Sequence, residues 1–193
     1  PIATFFNQVQ LDASGADISC TSLGNDIRGF DSAVTVRDVV ASYVYTNTLV
    51  VLEVSGTVLR DALEQCASYF AVTDNGEVHI AKHFLQPKAA HYNYDYFEGF
   101  TYTFDLRLPV GCRVTKLERD GKEIQPKDQF TLVMNNYRST GAGDFDGYAV
   151  CSHVREMQTE VSELILNYLG SREQIEIPKH AAYTVILPNG LQA

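Results

Sequence analysis

The sequence predicts an α+β fold: a single domain with a mixed β-sheet core flanked by helices. Three observations carry this. Helix-period and strand-period segments are mixed without strict βαβ alternation, which argues against a doubly wound parallel sheet. Residues 57–70 form one sharply amphipathic stripe. Asp120-Gly121, between two strand-like runs, is a hairpin signal that places an antiparallel pair in the sheet.

Residues 16–20 read as a short strand feeding a polar loop over 21–31. Val36, Val39, Val40 and Tyr43 fall at helical spacing over 35–43, with Ser32 or Thr35 available as the cap. Residues 49–54 are a β-branched run ending at Ser55-Gly56, hence a strand. The clearest helix follows over 57–70. There Val58, Leu59, Ala62, Leu63, Cys66 and Phe70 share one face while Arg60, Asp61, Glu64 and Gln65 lie opposite. Residues 71–91, with Thr-Asp-Asn-Gly and a proline, read as a loop excursion. Aromatic and polar residues alternate over 100–107, as in a half-buried strand. Residues 113–119 and 123–124 flank the hairpin turn, and 130–134 is a further strand running into Asn135-Asn136-Tyr137-Arg138. An amphipathic helix over 160–169 ends at Gly170, and 183–187 closes the chain as a strand.

The 193 residues lie within the range of one domain and suffice to bury a core. A hydrophobic fraction of 45% with 20% charged residues excludes disorder as the default. A net charge of −9, with cations scattered singly, excludes general binding to a nucleic-acid polymer. Phosphate contacts must then come from one or two placed cations or backbone N–H groups, which points to small ligands. No apolar run reaches the length of a membrane span. The chain begins Pro-Ile-Ala, which reads as a processed or trimmed piece, so a missing leader says nothing about compartment.

Cys20, Cys66, Cys112 and Cys151 form no CxxC or Cys/His cluster, so a structural zinc site is not expected. Cys66 belongs on the apolar helix face as a buried thiol. Of His79, His83, His91, His153 and His180, the first two have the spacing of a helical metal pair. The flanking glycine and proline argue against a helix there, and HExxH is absent. A GxSxG elbow is also absent. On local chemistry the chain looks like a binder.

Three segments suit a ligand. Residues 135–145 combine two amides, a ring, a guanidinium and glycines that let backbone approach a ligand closely. Gly141 and Gly143 do not complete GxGxxG, and Asp144-Phe145-Asp146-Gly147 lacks the later ligands of a calcium loop. Tyr45 and Asn47 sit in a helix-to-strand connection, where they could either face a pocket or simply cap the core. Residues 91–99 are dense in aromatics, which a sheet-packing cluster largely explains.

Taken in order, several motifs resemble the C-terminal domain of the 5′-nucleotidase family, and most of all its 2′,3′-cyclic-nucleotide 2′-phosphodiesterase/3′-nucleotidase branch. They are Ala-Asp-Ile-Ser-Cys-Thr (16–21), Thr-Val-Arg-Asp-Val-Val (35–40), Tyr-Thr-Asn-Thr-Leu (45–49), Tyr-Asn-Tyr-Asp (92–95) and Met-Asn-Asn-Tyr-Arg (134–138). The resemblance implies a substrate-binding domain that sandwiches a nucleobase between two rings, here Tyr45 and Tyr137. By position Asn47 would lie beside the base and Asp144 near the ribose, with Asn136, Arg138, Gly141 and Gly143 completing the loop. Arg28 falls near a position where an arginine assists the phosphate end. Where many nucleotidases carry Gly-Gly-Asp-Gly, this chain has Gly141-Ala142-Gly143-Asp144.

The resemblance also implies partners: a nucleoside or a cyclic or 3′-nucleotide, and an N-terminal metallophosphoesterase domain of the same parent holding two divalent metal ions. That domain's Asp-x-His and Gly-Asn-His-Glu signatures are absent from these 193 residues. No cofactor, metal site or catalytic residue is therefore expected in this chain, and alone it should be inactive. The family habit is periplasmic or cell-surface. The competing expectation is a surface interaction module that kept the fold and lost nucleotide binding.

Overall fold

The computed structural model describes residues 1–177 and 182–192. It begins with a helix that the sequence reading did not anticipate, α1 (Ile2–Ser14), in which Phe5, Phe6 and Val9 are buried. Gly15 ends it at φ 65°, a left-handed conformation that glycine adopts without Cβ strain, and its N–H bonds back to Leu11. Strand β1 (Ile18–Ser22) follows. Helix α2 (Val36–Ser42) is capped by Thr35: its side chain accepts from the Asp38 N–H while the Asp38 carboxylate accepts from the Thr35 N–H at 2.8 Å. This reciprocal box selects Thr35 over Ser32 as the start.

Strand β2 (Thr48–Ser55) leads into helix α3 (Gly56–Ala67), capped by the Ser55 hydroxyl. The helix stops short of 70 because Phe70 joins a small hairpin, β3 (Phe70–Val72) with β4 (Val78–Ile80). The expected loop over 71–91 is therefore partly structured, and it continues through 3₁₀ turns at Lys82–Phe84 and His91–Asn93. Next come β5 (Asp95–Glu98), β6 (Thr101–Asp105), β7 (Val114–Arg119) and β8 (Lys122–Glu123). Asp120 and Gly121, at φ 51° and 74°, make the turn the sequence signalled. The remaining elements are β9 (Gln129–Asn135), α4 (Asp146–Ala149), β10 (Ser152–Glu160), α5 (Val161–Gly170) and β11 (Tyr183–Ile186). Gly170 is the last residue of α5, not the cap beyond it.

The mixed-sheet expectation holds, with the strands divided between two sheets and a hairpin. One sheet runs β10-β2-β9-β1-β5 and the other β11-β6-β7-β8. In the first, β9 and β1 are parallel and the other pairs antiparallel. Its central strands are buried on both faces. Val50, Leu52 and Val54 of β2 point into a core shared with α3 and the second sheet, while Leu49 and Val51 face α1, α2 and α5. β9 repeats the pattern with Leu132 and Met134 on one side and Val133 on the other. Each such side chain contributes roughly 1.5–3 kcal/mol on burial. Among the described residues no helix is long and apolar enough to cross a membrane.

Candidate functional site

The register of two central strands builds the site. Leu49 of β2 pairs with Asn135 of β9, and the Asn136 N–H donates to the Thr48 carbonyl at 2.9 Å. The segment entering β2 and the segment leaving β9 therefore emerge side by side. They carry Tyr45 and Asn47 on one chain run and Tyr137 on the other, and all three line one cavity of about 390 Å³.

Tyr45 and Tyr137 are 46% and 49% exposed, unusually open for rings that could have packed inward. Tyr43 backs them from within: 7% exposed, it sets its ring edge-on to Tyr45 at 6.3 Å. Burial pushes the Tyr43 phenol up to about 12, against a hydrogen bond with Asn47 that acts to lower it. Tyr43 stays neutral and fixes the Asn47 amide. The remaining walls are Tyr92 and Asn135, from two of the segments the sequence marked for a ligand, together with Ser22 at the end of β1 and Lys88 from the excursion after β4, which it did not mark.

Several expected site residues lie elsewhere. Arg138 is 1% exposed and turned into the protein, against an equally buried Asp95. Its Nε is 2.9 Å from Asp95 Oδ2, and its Nη2 donates to Asp95 Oδ1 at 3.0 Å and to the Tyr92 carbonyl at 2.7 Å. Nη1 donates to the Ala142 carbonyl, and the guanidinium lies 4.3 Å from the Phe145 ring centroid. Burial pushes the Asp95 carboxyl up, with Arg138 opposing that rise. Desolvation acts against the Arg138 charge, and Asp95 outweighs it. Arg138 is thus a brace between cavity walls and has no free donor face for a ligand.

The glycines serve this brace. Gly143, at φ 79°, lies so close to Arg138 Nη1 and Asn93 Oδ1 that a Cβ would collide with both. At Gly141, φ 86°, a Cβ would sit 3.2 Å from Ala149 Cβ. Asp144 borders a different, smaller cavity of about 210 Å³ with Val58 and Tyr148. Asn136 is exposed outside the tyrosine cavity, since Asn135 one residue earlier takes the inward direction. Asn135 also accepts the Arg138 N–H at 2.8 Å, which starts the turn carrying Tyr137. Arg28 is exposed on the loop before α2, and its carbonyl accepts the Ser42 hydroxyl.

Among the described residues no three His, Cys, Asp or Glu side chains converge as metal ligands. His79 and His83 fall on a strand and a 3₁₀ turn instead of a shared helix face, and His180 lies outside the described residues. Cys20 and Cys66 are buried free thiols whose ionisation burial suppresses. A larger cavity of about 510 Å³ is lined by Tyr69, Phe70, Tyr94, Tyr96 and Val185. Its polar groups face each other, with Tyr69 Oη 2.7 Å from His91 Nδ1 and Asn25 bonded to Ala89 and His91 backbone. The tyrosine cavity, with exposed rings and an open amide, is the better-equipped site.

Known proteins share this architecture. A putative 5′-nucleotidase from Staphylococcus aureus, solved in complex with alpha-ketoglutarate, superposes with a TM-score of 0.90 at 37% identity, over 96% of this chain and 36% of that one. A 5′-nucleotidase precursor from Thermus thermophilus shares the fold with a TM-score of 0.75 at 21% identity, over 95% of this chain and 35% of that one. A 2′,3′-cyclic-nucleotide 2′-phosphodiesterase/3′-nucleotidase of Haemophilus influenzae is 27% identical over 180 residues, 85% of this chain and 27% of the relative. The trifunctional nucleotide phosphoesterase YfkN of Bacillus subtilis is 26% identical over 157 residues, 74% of this chain and 10% of the relative.

The fold is thus that of a domain carried by nucleotide-hydrolysing enzymes. Residues 1–149 match the 5′-nucleotidase, C-terminal domain family, and the chain belongs to that family. It spans about a quarter or less of the two curated relatives' length (27% and 10%).

Proposed function

We infer that this chain is the substrate-recognition domain of a metal-dependent 2′,3′-cyclic-nucleotide 2′-phosphodiesterase/3′-nucleotidase. The carrying observation is that Tyr45, Tyr137 and Asn47 open onto one cavity of about 390 Å³, a volume suited to a nucleoside. Tyrosine faces take up any base by stacking, giving affinity with little choice of base. Asn47, held by Tyr43, and Asn135, held by the turn to Arg138, orient what the rings bind.

Hydrolysis belongs to a separate N-terminal metallophosphoesterase domain of the parent, whose two divalent ions supply phosphate polarisation and a hydroxide nucleophile. The described residues here do not fit such a site, so no chemical step is assigned to them. The names of the relatives support this reading of substrate class, and the family habit makes the proposed location periplasmic or cell-surface.

Calorimetric titration of the chain with adenosine tests the site, beside the Tyr45→Ala/Tyr137→Ala double variant. Saturable binding that the double variant loses is expected. Equal binding by both proteins, or none by the wild type up to millimolar adenosine, rejects the sandwich and favours a surface module that kept only the fold.

A further inference from the structure

A stacking site holds the base and leaves the phosphate outside the rings, so something else must separate a nucleotide from a nucleoside. The lining of the tyrosine cavity contains a single cation, Lys88. Arg138, the residue the local sequence suggested for charge, is consumed by Asp95 inside the protein. Arg28 is not part of the lining.

Lys88 is exposed, and it makes no ion pair or side-chain hydrogen bond among the described residues, so its ammonium is free. The segment that follows it is anchored. The Ala89 carbonyl accepts the Asn25 amide at 2.8 Å, the Ala90 N–H donates to Phe84 at 2.8 Å, and the His91 N–H donates to Asn25 at 3.1 Å. These bonds anchor the three residues after Lys88, which lies on the wall it shares with Tyr92 and Ser22. In a chain of net charge −9, one unpaired cation in the lining of a tyrosine-rich cavity is a local exception to the surrounding field.

We propose that Lys88 is the specificity residue that makes this cavity prefer nucleotides to nucleosides, by placing its ammonium against the substrate phosphate. The proposal rests on the stacking reading above. An exposed ammonium–phosphate contact is screened by water and salt, so its contribution is modest and salt-sensitive. About a fivefold to tenfold preference is the scale expected at low ionic strength.

The test is calorimetric titration of the chain with adenosine, 3′-AMP and 2′,3′-cyclic AMP at low and high salt. Wild type is compared with Lys88→Met, Lys88→Arg and Lys82→Met. The readout is the ratio of nucleotide to nucleoside affinity. The proposal expects a ratio of about five to ten that falls with salt, collapses towards one in Lys88→Met and returns in Lys88→Arg. Lys82→Met removes a charge from the same excursion outside the cavity lining, and it should keep the wild-type ratio. A ratio near one in the wild type, or a ratio that Lys88→Met and Lys82→Met reduce equally, overturns the assignment while adenosine binding leaves the stacking site standing. Failure of adenosine itself to bind rejects the stacking reading, and the assignment of Lys88 with it.

Discussion

Arg138 and Asp95 form an ion pair that is 1% exposed on both sides, and it joins the turn carrying Tyr137 to the segment carrying Tyr92. A buried pair gains little over an apolar filling, yet breaking it is costly because one charge is left without a partner. Arg138→Met should therefore lose about 3–5 kcal/mol in urea unfolding. Asp95→Asn/Arg138→Met should recover much of that loss. A double variant no more stable than Arg138→Met would show that the guanidinium's stacking on Phe145 and its bonds to the Tyr92 and Ala142 carbonyls matter more than the charge balance.

Stacking should grade with ring chemistry. Tyr137→Phe keeps the face and should bind adenosine within about threefold of wild type. Tyr137→Ala should lose about 1–3 kcal/mol of binding, roughly fivefold to 150-fold. Titration of both variants checks this, and equal losses would assign the work to the hydroxyl.

Two glycines predict opposite signs. Gly56 begins α3 where a Cβ would strike the Gln125 carbonyl and lie 3.0 Å from Ile124 Cγ2. Gly56→Ala should destabilise by about 2 kcal/mol or more. Gly170, within α5, has open space where a Cβ would stand, with nothing within 4 Å, so Gly170→Ala should stabilise by about 0.5–1 kcal/mol. Thermal unfolding of the two variants distinguishes these mechanisms from a general intolerance of change at glycine.

Asp17 links the entry to β1 with β9. Its carboxylate accepts from the Thr131 N–H at 2.9 Å, the Thr131 hydroxyl at 2.7 Å and Arg119 Nη2 at 3.2 Å. Partial burial acts to raise this carboxyl, and the Thr131 bonds with Arg119 outweigh it, holding it below the usual carboxylate value. A depressed acid stabilises the fold above its unfolded value of about 3.9, and that contribution is lost as pH falls through the lower folded value. Asp17→Asn should lower stability at pH 6 by on the order of 1 kcal/mol, screened by its exposure. The gap to wild type should then narrow as pH falls from about 4 through the lower folded value. Melting temperatures across that range measure it, and a constant gap would assign the effect to shape.

Where periodicity was strong, the sequence reading and the structure agree. The α3 stripe, the Asp120-Gly121 turn and the strand runs of β2 and β9 are local signals and formed at the expected positions, α3 ending three residues short. α1 was unread although Phe5, Phe6 and Val9 are its buried face. β10 carried no alternation to read, because as an edge strand it is exposed along most of its length. The β3–β4 hairpin is made of two three-residue strands, too short for a period to declare itself.

The same division runs through the site. Sequence by itself determined the family resemblance, the strand ends on which Tyr45, Asn47 and Tyr137 sit, and the excess of negative charge. Only tertiary structure decided which neighbours face the cavity. At the end of β9 successive side chains turn to different sides, so Asn135 enters the lining while Asn136 does not. Arg138 could be assigned to the interior only once Asp95, 43 residues earlier in the chain, was found opposite it. Lys88 lines the cavity next to a segment whose Ala89 and His91 backbone groups bond to Asn25 of a distant loop. Periodicity reports which face of an element is apolar. The direction and partner of a single polar side chain depend on chain segments far away in sequence, and those are fixed only when the sheets and helices have packed.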